Sequence, residues 1–294
     1  MYYFYYSLLW LFSLLPLRVL YLISDGCYYI FFHIMKYRRE VVMNNLMIAF
    51  PEKSDAERMA IAKKFYRNLT DTFLETIKSV SAPKLAEKRV TANWDLANSF
   101  KDSGKSIQLH LGHNFNWEWA NFSMAKGLAH EVLVVYMPMT NKTMEKLFFN
   151  LRKRSGIHLL PATDMRNSFL PFRDKQYLMA LVADQNPGHP GSAWWVNFFG
   201  RPTPFVKGPA KAALTNKTQV LYCFIHKPKR GHYEAVLSVP DINLETCTEQ
   251  ELTIHFVRYL EDIIRKYPDM WLWSHRRWKW NYDPSFGPVY DSKG

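Results

Sequence analysis

Residues 4–23, FYYSLLWLFSLLPLRVLYLI, are apolar apart from Arg18 and a few hydroxyls, and a second apolar run, CYYIFFHIM, follows Ser24-Asp25-Gly26. A bilayer span needs about 20 mostly apolar residues, and the first run supplies them. Pro16 and Arg18 interrupt it, so a helix lying in the interface is the alternative to a span. A secretory signal would carry a basic n-region and a small-residue cleavage site, and neither is present. The expectation is an N-terminal membrane helix within an anchoring segment, residues 1–36. Lys36, Arg38 and Arg39 flank it on the C-terminal side, which places the remainder, 37–294, in the cytoplasm.

Beyond the anchor the pattern changes period. Residues 55–79 form an amphipathic helical stretch, capped by Ser54 or Asp55, with Met59, Ala62, Phe65, Leu69, Phe73 and Ile77 as its apolar stripe. Short β-like runs then alternate with helical ones. The strands predicted are Ile107–Leu111, Val132–Tyr136, Ile157–Leu160, Tyr177–Val182, Val220–Ile225 and Tyr233–Val239. The helices are Trp117–Lys126, Lys142–Arg154, Pro209–Asn216 and Glu249–Tyr267. Such alternation implies an α/β domain, a sheet covered by helices. Sites in such folds lie in loops at the carboxyl ends of strands.

Composition adds three constraints. Hydrophobic residues make up 48% of the 294, which excludes disorder. The formal charge of +12 points to an anionic partner: nucleic acid, a membrane surface or an acidic carrier protein. The cysteines, Cys27, Cys223 and Cys247, are scattered and odd in number, with neither a zinc spacing nor a disulfide framework. No metal constellation or repeat is evident.

The stretch LHLGHNFNWEWA, 109–120, sits where a site is expected. It carries His113 and, five residues on, Glu118. Five residues is about 140° around a helix, so the two meet only if His113 lies in the strand-to-helix loop and Glu118 in the first helical turn. Gly112 permits a tight turn, and Asn114 or Asn116 can cap the helix. A carboxylate on one ring nitrogen fixes the tautomer and leaves the other nitrogen to take a proton from a hydroxyl. Taken alone the spacing is weak, and a structural histidine beside a surface helix fits it as well. HNFNWE is not HExxH, and GxSxG, GxxxxGK[ST] and GxGxxG are all absent. With no activated Ser or Cys in sight, direct attack by a substrate hydroxyl is the natural mechanism.

Further segments change those odds: RREVVMNNLMIAFPE (38–52), LRKRSGIHLLP (151–161), LVADQNPG (181–188), VNFFGRPTPFVKGPAKAAL (196–214) and MWLWSHRRWKW (270–280). Together with the HNFNWE block, and in that order, they resemble the late acyltransferases of lipid A biosynthesis. That family sits within the lysophospholipid acyltransferase group, marked by His-four residues-Asp/Glu. The resemblance implies a glycerol-3-phosphate acyltransferase-like fold, a mixed sheet wrapped by helices. It implies transfer of a fatty acyl chain from acyl carrier protein or coenzyme A to a hydroxyl of a membrane lipid. No cofactor is implied beyond that donor. His113 would be the general base and Glu118 its partner. Arg152 and Arg154 match the basic block and would hold a lipid phosphate. Asp184, Gln185 and Asn116 would contact substrate. Arg276, Arg277 and Lys279, interleaved with Trp271, Trp273, Trp278 and Trp280, would face the acyl carrier protein or the membrane. The third residue of the DQ block, Asn186, departs from the pattern. The implied setting is the cytoplasmic face of an inner membrane, without nucleic acid. Two alternatives stay open: an inactive relative that only binds lipid or carrier protein, and an acyltransferase for aminoacyl lipids.

Overall fold

A computed structural model describes residues 2–291. Helices α1 (Tyr2–Ser13) and α2 (Leu17–Tyr29) are separated at Pro16, and a short π-helical turn carries the chain on to Ile34. Proline removes a donor and disfavours helix at the residue before it, so the apolar run folds as two helices rather than one. Among the described residues no single helix is long and apolar enough to cross a membrane. α1 and Leu17–Ile34 meet the length and composition together but are bent by 111°. Carbonyls freed at the break are taken up: Lys78 Nζ donates to Ser13 and Leu15, and Ser81 Oγ donates to Ser13. Helices α3 (Arg39–Ala49) and α4 (Asp55–Lys78) follow. Ser54 and Glu57 form a complete capping box at the start of α4.

The remaining helices are α5 (Pro83–Arg89), α6 (Trp94–Asn98), α7 (Trp117–Gly127), α8 (Lys142–Lys153), α9 (Met165–Phe169), α10 (Gly208–Thr215) and α11 (Glu249–Lys266). The strands are β1 (Val90–Ala92), β2 (Ile107–Leu111), β3 (Glu131–Tyr136), β4 (His158–Pro161), β5 (Tyr177–Val182), β6 (Trp194–Phe198), β7 (Arg201–Phe205), β8 (Gln219–Lys229), β9 (His232–Ser238) and β10 (Val289–Asp291). The main sheet has the order β1-β9-β8-β2-β5-β3-β4. Its pairings are parallel except β8 with β9, which is antiparallel, so the sheet is mixed. A second sheet has the order β10-β6-β7. Every strand foreseen from the sequence is present; β1 and the second sheet are additions. β7 reads RPTPF, and its prolines break the strand pattern. They are tolerated because β7 is an edge strand.

The central strand β2 is buried along its whole length. Successive side chains point to opposite faces. Leu109 and Leu111 line a cavity beneath α7, whereas His110 stands against Phe256 of α11, ring centroids 5.8 Å apart. Burial pushes the His110 imidazole down to about 4, so it is a neutral core residue. Helices therefore cover both faces of the sheet, and the β2–α7 loop opens at its carboxyl edge.

Candidate active site

Strands β2 and β5 run parallel, with Leu111 opposite Val182. The same offset of 71 residues brings the first loop position with a functional side chain on each strand together: His113 and Asp184. Asp184 Oδ1 lies 2.5 Å from His113 Nδ1. Its Oδ2 accepts from the His113 backbone N–H at 2.8 Å and from Trp271 Nε1 at 2.6 Å. Burial alone would raise this carboxyl. The adjacent imidazole and the donated hydrogen bonds outweigh it and hold Asp184 down at about 2. A carboxylate so fixed keeps the proton of the neutral ring on Nδ1 and leaves Nε2 as acceptor. Gln185 Nε2 stands 3.2 Å from that nitrogen, and Trp117 meets the ring edge to face at 5.5 Å.

Gly112 is needed for space rather than for a turn. A Cβ there would lie 2.7 Å from Leu260 Cδ1 and 3.2 Å from Asp184 Oδ2. Asn114 bridges to Trp271, and Phe115 N–H donates to the Met270 carbonyl at 3.1 Å, so the C-terminal segment braces the loop.

The expected bond between His113 and Glu118 is not the one made. Glu118 accepts from Arg152 Nε at 3.0 Å and from Arg152 Nη2, a bidentate pair, and from Trp117 Nε1 at 3.2 Å. Burial works against the Arg152 charge, but Glu118 outweighs it and raises the guanidinium further. Glu118 lies in the first turn of α7 and its carboxylate turns toward Arg152 of α8, whereas the strand register delivers Asp184 to the ring. Arg152 and Arg154 do not face the same cavity. Two residues along a helix are about 200° apart; Arg152 lines the His113 cavity and Arg154 lines a different one, beside α1.

Asn116 is fully buried. Its Oδ1 caps α7 by accepting from Trp119 N–H at 3.0 Å, and its Nδ2 donates to Glu75 at 2.9 Å. It is a structural cap and not a substrate contact. Arg277 is also fully buried, donating to Asn186 Oδ1 and to the Pro204 carbonyl, each at 2.9 Å. Burial pushes its guanidinium down to about 9, an effect the charge of Asp184 only partly opposes. Arg277 therefore belongs to no docking surface, while Arg276 and Lys279 are exposed. Trp271, Trp273 and Trp278 are core side chains, so the aromatic–basic alternation builds the wall behind the site rather than an exposed platform. Asn186, the departure from the DQ pattern, is what ties that wall to the site, since its Nδ2 also donates to the Arg276 carbonyl at 2.8 Å.

His113, Trp117, Arg152 and Gln185 line a cavity of about 530 Å³. It extends both ways from β2 across the sheet. Toward β8 and β9 it is walled by Cys223, Ile225 and Ala235 and closed by Trp94 and Met124. Toward β3 it passes Tyr136 and Arg152 and ends at Met137 and Met139, both exposed. No group of three or more His, Cys, Asp or Glu among the described residues has a metal-ligating arrangement.

An imidazole pinned by a buried carboxylate on the wall of a largely apolar cavity, in a mixed sheet covered by helices, fits the class of α/β transferases that handle apolar substrates. Comparison with known proteins resolves the class. A family model described as bacterial lipid A biosynthesis acyltransferase matches residues 1–280, and the chain belongs to that family. Its relatives include the lipid A biosynthesis palmitoleoyltransferase of Escherichia coli (strain K12), 23% identical over 281 residues, which cover 93% of this chain and 89% of that one. The lipid A biosynthesis lauroyltransferase of the same strain is 23% identical over 285 residues, with the same coverage of 93% and 89%. A lipid A biosynthesis acyltransferase of Haemophilus influenzae is 22% identical over 285 residues, covering 94% and 89%.

Proposed function

We propose that this acyltransferase moves a fatty acyl chain from an acyl thioester to a hydroxyl of a lipid A precursor at the cytoplasmic face of an inner membrane. The observation that carries the reading is the His113 ring, pinned by Asp184 behind and presenting Nε2 to the cavity. The acceptor hydroxyl displaces the Gln185 amide and gives its proton to Nε2 as its oxygen attacks the thioester carbonyl carbon. The tetrahedral oxyanion collapses, the carbon–sulfur bond breaks, and the thiolate recovers the proton from the imidazolium. Arg152, aimed by its bidentate bond to Glu118, places a fixed positive charge where the oxyanion or the acceptor phosphate lies. The closed arm beside Ala235 takes the acyl chain, and the open arm beside Met137 takes the acceptor.

Attachment to the membrane is supported by where apolar surface is exposed. Most of the large exposed apolar side chains lie between residues 3 and 37, among them Tyr3, Phe4, Leu8, Leu11, Leu22 and Ile34. A bent helix pair with one apolar side suits an interfacial anchor. Arg276 and Lys279 offer an exposed basic rim to an acidic acyl carrier protein.

The test is acyl transfer from radiolabelled acyl carrier protein and from acyl-coenzyme A to lipid A precursors, with aminoacyl lipids as comparison. Product with lipid A precursors that vanishes in His113→Ala supports the reading. Binding without turnover would make the chain an inactive relative. Turnover confined to aminoacyl lipids would keep the chemistry and change the acceptor.

A further inference from the structure

The expectation that Arg152 and Arg154 clamp one phosphate fails on helical geometry, and where Arg154 goes instead is informative. On α8, Leu147, Asn150, Leu151 and Arg154 follow the i, i+3, i+4, i+7 spacing and share a face. That face and α1 enclose a groove of about 320 Å³, its apolar floor made by Tyr2, Tyr6, Leu9, Val80, Leu147 and Leu151. Tyr2 is held in place by Asn150 Nδ2, which donates to its hydroxyl at 2.9 Å, and by Lys146, 4.8 Å above its ring. The rim is cationic: Lys153 and Arg154 line it and are exposed. Arg154 Nη1 donates to the Val80 carbonyl at 2.7 Å, which steers the guanidinium across the groove. Among the described residues no carboxylate lines it.

We propose that this groove is a second lipid site, separate from the His113 cavity, which takes one hydrocarbon chain of an anionic phospholipid with its phosphate on Lys153 and Arg154. The inference rests on the membrane attachment proposed above. Two features select this occupant. The groove is flanked on α1 by the exposed side chains Tyr3, Tyr5 and Trp10, which neighbour the lining residues Tyr2, Tyr6 and Leu9 around the helix, so hydrocarbon reaches it along the surface of α1. Its basic rim then fixes the sign of the headgroup. The volume holds roughly ten groups the size of a water molecule at about 30 Å³ each, most of a fatty chain. The bound lipid would fasten α1 to α8, whose opposite face carries Arg152 into the catalytic cavity.

The full chain, in detergent micelles containing phosphatidylglycerol or phosphatidylcholine, is examined by native mass spectrometry, with vesicle flotation run in parallel. We expect one retained phosphatidylglycerol, at least fivefold favoured over phosphatidylcholine. Leu147→Trp, which fills the groove, and the surface variant Lys153→Glu/Arg154→Glu should each lower retention at least fivefold. His113→Ala should leave it unchanged. Equal retention of the two lipids, unchanged retention in the charge-reversed variant, or loss in His113→Ala would overturn the proposal. Flotation scores the other reading separately: wild type that fails to float removes the membrane attachment, while floating variants that no longer retain lipid support the groove.

Discussion

Replacing Asp184 by Asn tests the central bond without changing the shape of the site. Asp184 Oδ2 accepts from two N–H groups, His113 N at 2.8 Å and Trp271 Nε1 at 2.6 Å, while Oδ1 faces only His113 Nδ1. An amide has one acceptor oxygen. Turning its NH2 toward the pair would leave two buried donors facing a donor, at about 1–3 kcal/mol each. Turning it toward the imidazole avoids that cost. The second orientation wins by roughly 2 kcal/mol or more, and the introduced amide would then donate to Nδ1. The neutral ring must answer by moving its proton to Nε2, the atom that has to receive the hydroxyl proton. The base is lost while the ring stays in place. General-base catalysis contributes about 10²–10⁴-fold, or roughly 3–5 kcal/mol of barrier, so turnover should fall by that factor with little change in stability. The assay is steady-state acyl transfer together with ¹⁵N NMR of the imidazole, which reports the tautomer. Glu118→Gln is the control. It weakens the hold on Arg152 but leaves Nδ1–H in place, so turnover should fall without a change of tautomer. A tautomer switch in Glu118→Gln, or Asp184→Asn turnover within about threefold of wild type, would refute the reasoning.

Gly112→Ala puts a methyl 2.7 Å from Leu260 Cδ1 and 3.2 Å from Asp184; overpacking of this kind costs about 1–3 kcal/mol, read by chemical denaturation, and displacement of Asp184 should also lower turnover. Ala235→Phe fills the closed arm of the cavity, so donor preference should move to shorter chains, measured by competing acyl donors of different length; an unchanged preference would place the acyl chain elsewhere. Glu75 is fully buried, where Tyr21, Tyr233 and Asn116 donate to it, and desolvation pushes its carboxyl up from 4.5 to about 7 despite those bonds. Because the folded value exceeds the unfolded one, its contribution is complete below pH about 4.5 and is lost as pH rises toward about 7. Glu75→Gln should remove that slope, worth on the order of 3 kcal/mol, from denaturation midpoints taken between about pH 4.5 and 8; a slope that persists would assign it to another group.

What the sequence disclosed follows from the range of the interactions involved. Periodicity is local, and the strands 107–111 and 177–182 lie where the alternation put them. The loop position of His113 followed from β2 ending at Leu111. Its partner was not local. Glu118 is five residues away and Asp184 is 71 away, and only the parallel pairing of β2 with β5, invisible in a single chain, makes the distant carboxylate the neighbour. The two residues could have been matched from the pattern alone only by guessing that register. Trp271 carried no signal either, since nothing distinguishes the tryptophan that donates to Asp184 from Trp273 or Trp278 beside it. The basic blocks misled for a related reason. A run of Arg and Lys reads as one surface, yet a chain entering the core alternates what it shows: Arg276 and Lys279 face solvent while Arg277 is sealed beneath them, and Arg152 and Arg154 look into different cavities. The position of His113 was legible because strand-to-loop geometry is local, whereas the charges around it are set by which strands and helices become neighbours. In this fold, roles for Glu118 and Arg152 are therefore to be sought in their mutual ion pair, and the tautomer of His113 in Asp184.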